Sequence, residues 1–309
     1  MPDITTVKTA NLEEWRQLRS KYIGGSDAAA VVGLNAWVSP YSLWAEKTGK
    51  TPAFEGNLAT EVGSYLEEFV AKKFEAETGK KVRKRNCSFF NSDYPFAIAN
   101  IDREIIGEDA GLEIKTTDSL NLKKFKNGEY PANYYVQCVH YMAITEKKRW
   151  YLAVLIGNKE FKVFVIEREE AEIAALMAAE AEFYEHIKNN TPPPVDGTQA
   201  TTEAIKSIYA DSNESFVDLF GFSADLEQYL SCKKQIKALE TLRDETMNRI
   251  KAFMGESGSG ENERYKVSWK TQSRRIFDVD KFNEAYPDID LSEFYKNSKA
   301  RPFRVDEII

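Results

Sequence analysis

Two acidic residues and one lysine occur at a spacing that suits metal-assisted hydrolysis of a phosphodiester. Asp102 is followed, after ten residues, by Glu113-Ile114-Lys115. Because side chains alternate along a strand, Glu113 and Lys115 would face one way while Ile114 faces the core. Two carboxylates held together are costly unless a cation joins them, and oxygen ligands favour Mg²⁺ or Mn²⁺ over zinc. Lys115 would then orient or deprotonate an attacking water. Surface strands also alternate acids with lysines, so a solvated strand face remains the other interpretation.

Three further features could complete such a site. Glu67 lies on a predicted helix and would supply a third carboxylate, although either it or its neighbour Glu68 is expected to face solvent. Gln137 comes one helical turn before Tyr141, so it either points toward the strands or lies on the helix surface. The Gly24-Gly25-Ser26 turn opens a predicted helix. Its free N–H groups would form an anion site, or simply an ordinary capped helix start.

Other kinds of site are excluded by spacing and count. Gly49-Lys50-Thr51 resembles the end of a phosphate-binding loop, but Trp44 stands where that motif requires glycine, so no nucleotide cofactor is implied. The Gly24–Ser26 segment is not a nucleophile elbow. With 2 His and 3 Cys and no paired-cysteine motif, three-histidine sites, four-cysteine zinc sites and iron–sulfur clusters are excluded within one chain.

The composition is that of a globular protein with one large or two modest domains. The 309 residues are 42% hydrophobic and 29% charged, and 42 basic against 49 acidic residues give a net charge of −7. This balance argues against a surface coated with basic residues, but it permits a local basic groove. The sparse cysteines, the absence of an apolar leader and the absence of an 18-residue apolar run together predict a cytoplasmic protein that does not enter a membrane.

Caps and apolar spacing predict a mixed α/β layer architecture. The predicted helices begin at Asn11, with Glu14 completing a capping box, at Ser26 and at Ser39-Pro40, and they span Leu58–Thr78, 133–145 and about 168–189. The predicted strands are KVRKRNCSFF, FAIANID, which Asp102 would close, and GLEIKT, followed by a hairpin that turns at Gly157-Asn158.

The TPPP sequence at Thr191–Pro194 predicts a division into residues 1–190 and 195–309. The second part would contain one long helix over 224–254, which either packs on its own domain or forms a coiled coil with another chain. After GESGSGENE, which is flexible by composition, residues 264–275 predict a basic strand. Its basic face is either solvated or contacts DNA phosphates through Lys266, Lys270, Arg274 and Arg275.

Five motifs in order resemble the YqaJ-like viral recombinase family, which is grouped with lambda exonuclease in the PD-(D/E)XK nuclease superfamily. The motifs are R-x(4)-GGSDAAAVVG-x(3)-W-x-SPYSLWAEKTG, GSYLE, NID, LEIKT and YYVQCVHYMAIT, within residues 12–190. The resemblance implies an α/β fold (an α+β mixed sheet) with a restriction-endonuclease-like core. The helical C-terminal extension resembles that of many phage-encoded members, and the match gives it no role.

The resemblance also implies roles for individual residues. Glu67, Asp102 and Glu113 match metal ligands, the carbonyl of Ile114 adds another, and Lys115 matches the catalytic lysine.

By the same resemblance, a second group of residues binds the end of the DNA. Arg19 and Ser26 match positions that hold a terminal 5′-phosphate, and Gln137 lines the active site beside them. Asn100 stands where the lambda-type pattern has serine, and its amide could still donate to a phosphate.

The function implied is Mg²⁺-dependent exonuclease activity, with Mn²⁺ as a substitute, on the 5′-ended strand of linear double-stranded DNA. The family is phage or prophage encoded, acts in the bacterial cytoplasm and works with a single-strand annealing protein, to which the 3′ tails would pass. A ring-like trimer is implied by the likeness to lambda exonuclease. The alternatives are a structure-specific or other endonuclease that uses the same site, and a non-catalytic DNA-binding or scaffolding protein.

Overall fold

The computed structural model describes residues 2–296 and 301–306, and the helices begin and end there largely where the sequence places caps. The α-helices within these residues are α1 (Leu12–Ser20), α2 (Gly25–Val31), α3 (Pro40–Lys47), α4 (Leu58–Thr78), α5 (Ala132–Thr145), α6 (Glu170–Lys188), α7 (Gln199–Ile208), α8 (Ser223–Met254) and α9 (Val279–Ala285). Asn11 Oδ1 accepts from Glu14 N at 2.9 Å, as the predicted capping box requires. Gly79, at φ +70°, ends α4 in the left-handed conformation that favours glycine.

The predicted N-cap at Ser26 is wrong. Helix α2 begins after Gly24, whose N–H donates to Asp27 Oδ2 at 3.0 Å. Because Asp27 reaches back to close this first turn, the helix starts earlier and Ser26 lies inside it. The Ser26 hydroxyl is thereby left for a contact with another element.

A five-stranded mixed sheet forms the centre of the first unit. The strands of the described chain are β1 (Ile4–Val7), β2 (Ile23–Gly24), β3 (Val82–Arg83), β4 (Ser88–Asn91), β5 (Ala97–Ile98), β6 (Arg103–Ile105), β7 (Ala110–Thr117), β8 (Arg149–Ile156), β9 (Glu160–Glu167), β10 (Ser259–Glu261) and β11 (Lys266–Ser268). The central order is β3-β6-β7-β8-β9, with β7 and β8 parallel and the other pairs antiparallel. The predicted mixed α/β class is confirmed, and so is the hairpin at Gly157.

Two predicted strands differ from the structure. KVRKRNCSFF forms two separate strands, β3 and β4, that belong to different sheets, and FAIANID forms only the short β5, which pairs in parallel with β2. Asp102 does not close that strand; it lies immediately before β6, which pairs antiparallel with β7. Strands of two or three residues carry too little alternation to be recognised in a sequence, and β6 was therefore missed.

The first compact unit ends at Ala210 and the second begins at Asp211. The break therefore comes after α7, later than the Thr191–Pro194 segment suggested. Helix α7 belongs to the first unit because its Thr201 is buried and donates from Oγ1 to Ser39 Oγ at 2.7 Å. The prolines end one helix without ending the unit.

The second unit is built around α8, as predicted, with β10 and β11 paired antiparallel. Val267 and Trp269 line a cavity of about 730 Å³ with α8 residues that include Leu239 and Ile250. The Lys251 ammonium lies 5.4 Å from the Trp269 ring centre. This packing favours the interpretation in which α8 lies on its own domain.

The predicted basic strand over 264–275 is largely wrong, because pairing covers only Lys266–Ser268. The segment predicted to be flexible contributes its partner, β10. The KNSKARPFRV tail falls partly on residues 297–300, which lie outside the described residues. Within the part of the chain that is described, no helix is long and apolar enough to cross a membrane.

The core of the first unit constrains β7 through Gly111. A Cβ added there would lie 2.3 Å from Cη2 of Trp150, which is fully buried on β8. We expect Gly111→Ala to lower the free energy of unfolding by about 1–3 kcal/mol, since overpacking forces the indole or the strand to move. Gly197→Ala is the matched control, because its added Cβ would have no atom within 4 Å. Equal denaturant midpoints for the two variants would contradict this packing.

Candidate active site

Strand pairing brings Asp102 to the strand that carries Glu113 and Lys115. The β6–β7 register places Arg103 opposite Leu112, and Asp102 Oδ2 accepts a hydrogen bond from Ile114 N at 2.7 Å. Glu113 and Lys115 share one face of β7, as alternation predicts, and Lys115 Nζ lies 2.6 Å from Glu113 Oε1. Glu113 is only 2% exposed. The structure therefore joins the three residues that the sequence singled out into one cluster, in which Glu113 is buried and Asp102 and Lys115 are half-buried.

Helix α5 covers this cluster with an amide and an aromatic ring. Lys115 Nζ donates to Gln137 Oε1 at 2.8 Å. It also lies 5.4 Å from the centre of the Tyr134 ring, a cation–π contact. Gln137 in turn donates from Nε2 to the Tyr141 hydroxyl at 2.9 Å. Of the two orientations left open for Gln137, the structure has the one that points toward the strands.

Burial disfavours the charged forms of the Asp102 and Glu113 carboxyl groups. Removal from water, and then the charge of Glu113, hold the pKa of Asp102 well above its usual range. Burial also raises the pKa of Glu113, against the opposing effect of Lys115. Burial alone would lower the pKa of Lys115, but Glu113 and Asp102 together raise it. The lysine is thus held firmly as a cation beside two carboxyl groups that repel each other.

Glu67 lines the same cavity without joining the carboxylate pair directly. One of its oxygens accepts a hydrogen bond from Arg103, and the same oxygen lies 3.2 Å from Lys84 Nζ. Arg103 is buried and also binds Glu68 at 3.0 Å. The sequence left open whether Glu67 or Glu68 faces solvent. The structure leaves Glu68 the more exposed of the two and ties both to Arg103.

The donor set fits a hard divalent cation in its chemistry. Glu113 Oε2 is buried and has no hydrogen-bond partner in the described chain, which is a costly state for a carboxylate oxygen. Asp102 lies beside it, and Ile114 lines the same cavity. As arranged, however, the described residues contain no group of three or more His, Cys, Asp or Glu side chains that could hold a metal ion. A cation bound by Asp102 and Glu113 would thus need Glu67 to leave Arg103, or other oxygens to complete its shell.

A cationic pocket opens from the same cavity. Arg19 donates to the Ser26 hydroxyl, and its guanidinium lies 5.3 Å from the centre of the Trp15 ring. Its terminal nitrogen is 3.7 Å from Asp27 Oδ1, and Lys47 Nζ is 2.8 Å from Asp27 Oδ2. Burial alone would raise the pKa of Asp27, but Lys47 and Arg19 lower it below its usual range. Of these charged groups only Arg19 lines the cavity, beside Ser26.

The side chain of Asn100 lies beside this pocket and accepts two hydrogen bonds there. Its Oδ1 accepts from Trp15 Nε1 at 3.0 Å and from Ser88 Oγ at 2.7 Å. Because the carbonyl oxygen is used twice, the amide nitrogen is the group left to face the cavity that Asn100 lines. Asn100 thus fixes Trp15, over which Arg19 stacks.

One cavity of about 380 Å³ joins the carboxylate cluster and the cationic pocket. Its lining contains every first-unit residue proposed from the sequence: Arg19, Ser26, Glu67, Asn100, Asp102, Glu113, Ile114, Lys115 and Gln137. Lys266, Lys270, Arg274 and Arg275 belong to the second unit and are not part of this lining.

Trp15 and Tyr141 are among the lining residues that the sequence analysis did not identify. Helical spacing is the signal that could have found them. Trp15 precedes Arg19 by four residues and Tyr141 follows Gln137 by four, so each pair shares one helix face. Arg103 was also overlooked, because a buried arginine that binds a candidate ligand has no distinctive sequence pattern.

Comparison with known proteins decides the family. Residues 14–148 match the YqaJ-like viral recombinase domain. The uncharacterized protein YqaJ of Bacillus subtilis (strain 168) is 37% identical over 302 residues, covering 96% of this chain and 94% of the relative. The chain belongs to the YqaJ-like viral recombinase family. In the mixed α/β fold, Asp102 lies beside a central strand that carries Glu113 and Lys115, the arrangement that the resemblance implies.

Two solved structures named as exonucleases are similar to part of this chain. The alkaline exonuclease LHK-Exo from Laribacter hongkongensis is 22% identical, with a TM-score of 0.49, over 58% of this chain and 94% of that one. A phage related exonuclease from Haemophilus somnus 129PT is 14% identical, with a TM-score of 0.42, over 57% of this chain and 99% of that one.

The raised pKa of Asp102 predicts a stability gain when its charge is removed. A carboxyl group whose pKa is raised on folding favours the folded state while protonated. That contribution is lost as the pH rises from the ordinary value through the raised one. In EDTA, Asp102→Asn should therefore melt higher than the parent, and the gain should grow with pH through that interval. Each kcal/mol corresponds to about 2–4 °C for a unit of this size.

The control is Asp109→Asn, which alters an exposed carboxylate near the start of β7. We expect it to leave the melting temperature unchanged in EDTA. A melting temperature for Asp102→Asn at or below the parental value across this pH range would contradict the proposed repulsion between Asp102 and Glu113.

Proposed function

We propose that this chain is a divalent-cation-dependent deoxyribonuclease that degrades the 5′-ended strand of linear double-stranded DNA from its end. One observation carries the proposal. The Asp102–Glu113–Lys115 cluster and the Arg19–Ser26 pair line a single cavity of about 380 Å³. A terminal phosphate in the cationic part would leave the next phosphodiester to reach the carboxylates. Membership of a viral recombinase family supports the same proposal.

In the proposed mechanism, Asp102, Glu113 and the Ile114 carbonyl would hold Mg²⁺, with Mn²⁺ as a substitute. The cation supplies Lewis acidity and activates water when bound. Lys115 is kept protonated by its two acidic neighbours, so it donates to the attacked phosphate and stabilises the charge that builds there. Gln137 limits its movement by accepting one of its three hydrogens. These residues would orient a phosphodiester and a water for in-line attack.

At the DNA end, Arg19 and Ser26 would bind the 5′-phosphate. A phosphate oxygen would replace Ser26 as the acceptor for Arg19, and the Ser26 hydroxyl would then donate to the same phosphate. The contact with the Trp15 ring would limit the movement of the Arg19 guanidinium. An end-binding pocket is of no use for internal cutting, so it favours an exonuclease over an endonuclease.

The wider role follows from the proposed reaction. Removal of the 5′-ended strand leaves a 3′ single-stranded tail, and we propose a single-strand annealing protein as the partner that receives it. We further propose a ring-like trimer and a phage or prophage origin, with action in the bacterial cytoplasm. Lys270, Arg274 and Arg275 form no ion pair with another described residue. Together with Lys266 they would contact duplex phosphates.

Hydrolysis tests the metal cluster. With Mg²⁺ and a linear duplex, Glu113→Ala and Asp102→Ala should lose hydrolysis, and Lys115→Ala should slow it by about 10²–10³-fold while still binding DNA. Glu68→Gln is the control, since Glu68 does not line the cavity. Parental turnover in Glu113→Ala would refute the site, and degradation of covalently closed circles would instead favour an endonuclease.

Substrate ends test the pocket. We expect 5′-phosphorylated duplexes to be digested faster than 5′-hydroxyl duplexes, and Arg19→Ala to remove most of the difference. A charge-assisted hydrogen bond of this kind contributes about 1.5–3 kcal/mol. Arg16→Ala is the matched control, because Arg16 is exposed on the same helix. The pocket would be refuted by a parent protein that digests both ends at one rate.

A further inference from the structure

The hydrogen-bond direction through Gln137 is fixed by chemistry. An ammonium group only donates, so Gln137 must turn its Oε1 toward Lys115, at 2.8 Å. Its Nε2 then faces the Tyr141 hydroxyl at 2.9 Å and donates to it. The Tyr141 oxygen is therefore an acceptor in this chain of contacts, and its own hydrogen remains to be donated elsewhere.

No described residue accepts that hydrogen. The only hydrogen bond that the Tyr141 hydroxyl makes within residues 2–296 and 301–306 is the one it accepts from Gln137. Tyr141 is 5% exposed, and it lines the cavity that holds the carboxylate cluster and the cationic pocket. A buried hydroxyl with an unused donor costs free energy, which a ligand in the cavity would recover.

The Tyr141 ring packs closely against Gly25, in the first turn of the helix that carries Ser26. A Cβ at position 25 would lie 2.5 Å from Cε1 and 2.8 Å from Cζ of Tyr141. Only glycine permits this approach, and it sets the hydroxyl-bearing edge of the ring beside the residue that precedes Ser26. Arg19 is close enough to act electrostatically on the Tyr141 hydroxyl. Burial, followed by the charges of Glu113 and Asp102, holds the pKa of Tyr141 well above its usual range, so the hydroxyl keeps its hydrogen.

We propose that the Tyr141 hydroxyl is a third donor to the terminal 5′-phosphate, beside Arg19 and Ser26. The inference rests on the proposed function and adds a residue to the DNA-end site. The contacts Lys115–Gln137–Tyr141 would then run unbroken from the catalytic lysine to the bound end. Occupation of the pocket would hold Tyr141, and through it Gln137 and Lys115, in the arrangement that hydrolysis needs.

The test is binding in EDTA, so that hydrolysis plays no part in the readout. Short duplexes with a 5′-phosphate or a 5′-hydroxyl are titrated against the parent, Tyr141→Phe and Tyr135→Phe. Tyr141→Phe removes one oxygen and keeps the ring against Gly25. Tyr135 lies on the same helix, but its hydroxyl donates to Glu172 outside the cavity, which makes Tyr135→Phe the matched control. Melting temperatures verify that both variants are folded.

We expect the parental preference for the phosphorylated end to fall about ten- to a hundredfold in Tyr141→Phe, the range for one hydrogen bond to a charged group. Tyr135→Phe should keep the full preference. The proposal is overturned if Tyr141→Phe keeps it too, or if Tyr141→Phe weakens both duplexes equally. Either result leaves the nuclease proposal standing when Mg²⁺-dependent digestion by the parent is intact. If the parent binds both ends equally, the phosphate pocket and this inference are both refuted. The nuclease proposal is then tested separately, by hydrolysis assays of the Asp102 and Glu113 variants.

Discussion

The repulsion between Asp102 and Glu113 is the constraint around which the first unit is built. The buried carboxyl group of Glu113 lies beside the half-buried one of Asp102, and the Lys115 ammonium group is 2.6 Å from Glu113 Oε1. One carboxylate oxygen is still unsatisfied, because Glu113 Oε2 has no hydrogen-bond partner in the described chain. Holding these groups together lowers the stability of the folded protein, which is consistent with the cation site proposed above.

Such a cluster persists only if the surrounding elements leave it no room to relax. Strand β7 is central in its sheet, paired with β6 on one side and β8 on the other. Helix α5 covers it, and that helix is itself held by a second buried polar contact. His140 Nδ1 lies 2.8 Å from Glu180 Oε1 on α6, and its Nε2 lies 3.0 Å from the Ile98 carbonyl on β5. One histidine therefore ties α5 to α6 and to the strand that pairs with β2, just before the cationic pocket.

The sequence predicted those features that rest on local pattern. Alternation placed Glu113 and Lys115 on one face, and Gly79 ended α4 where the backbone needs a positive φ. Prediction from the sequence failed where a residue's environment is formed by segments distant in the chain. Asp102 precedes a three-residue strand that has no detectable pattern, and Glu67 meets an arginine whose burial depends on the whole sheet.

The unused donor of the Tyr141 hydroxyl could not be predicted from the sequence for the same reason. It follows from two contacts that exist only once β7 and α5 have packed together. Residue types and spacing could place Tyr141 on the face of Gln137, but they could not give the direction of the hydrogen bonds between them.

Under the proposed function, the charges around Arg19 bear on how the pocket would bind a DNA end and release it. Arg19 and Lys47 carry two positive charges, and Asp27, kept ionised between them, cancels one. Lys47 also donates to the carbonyls of Arg19 and Tyr22, at 3.1 and 2.8 Å, and does not line the cavity, so Arg19 is the cation of the set that a ligand in the cavity would contact. A phosphate must draw Arg19 away from Ser26 and Asp27, which reduces the net gain on binding. On that proposal, an arginine that already has partners would bind each new end less tightly than an unpaired one, which suits release after every cut.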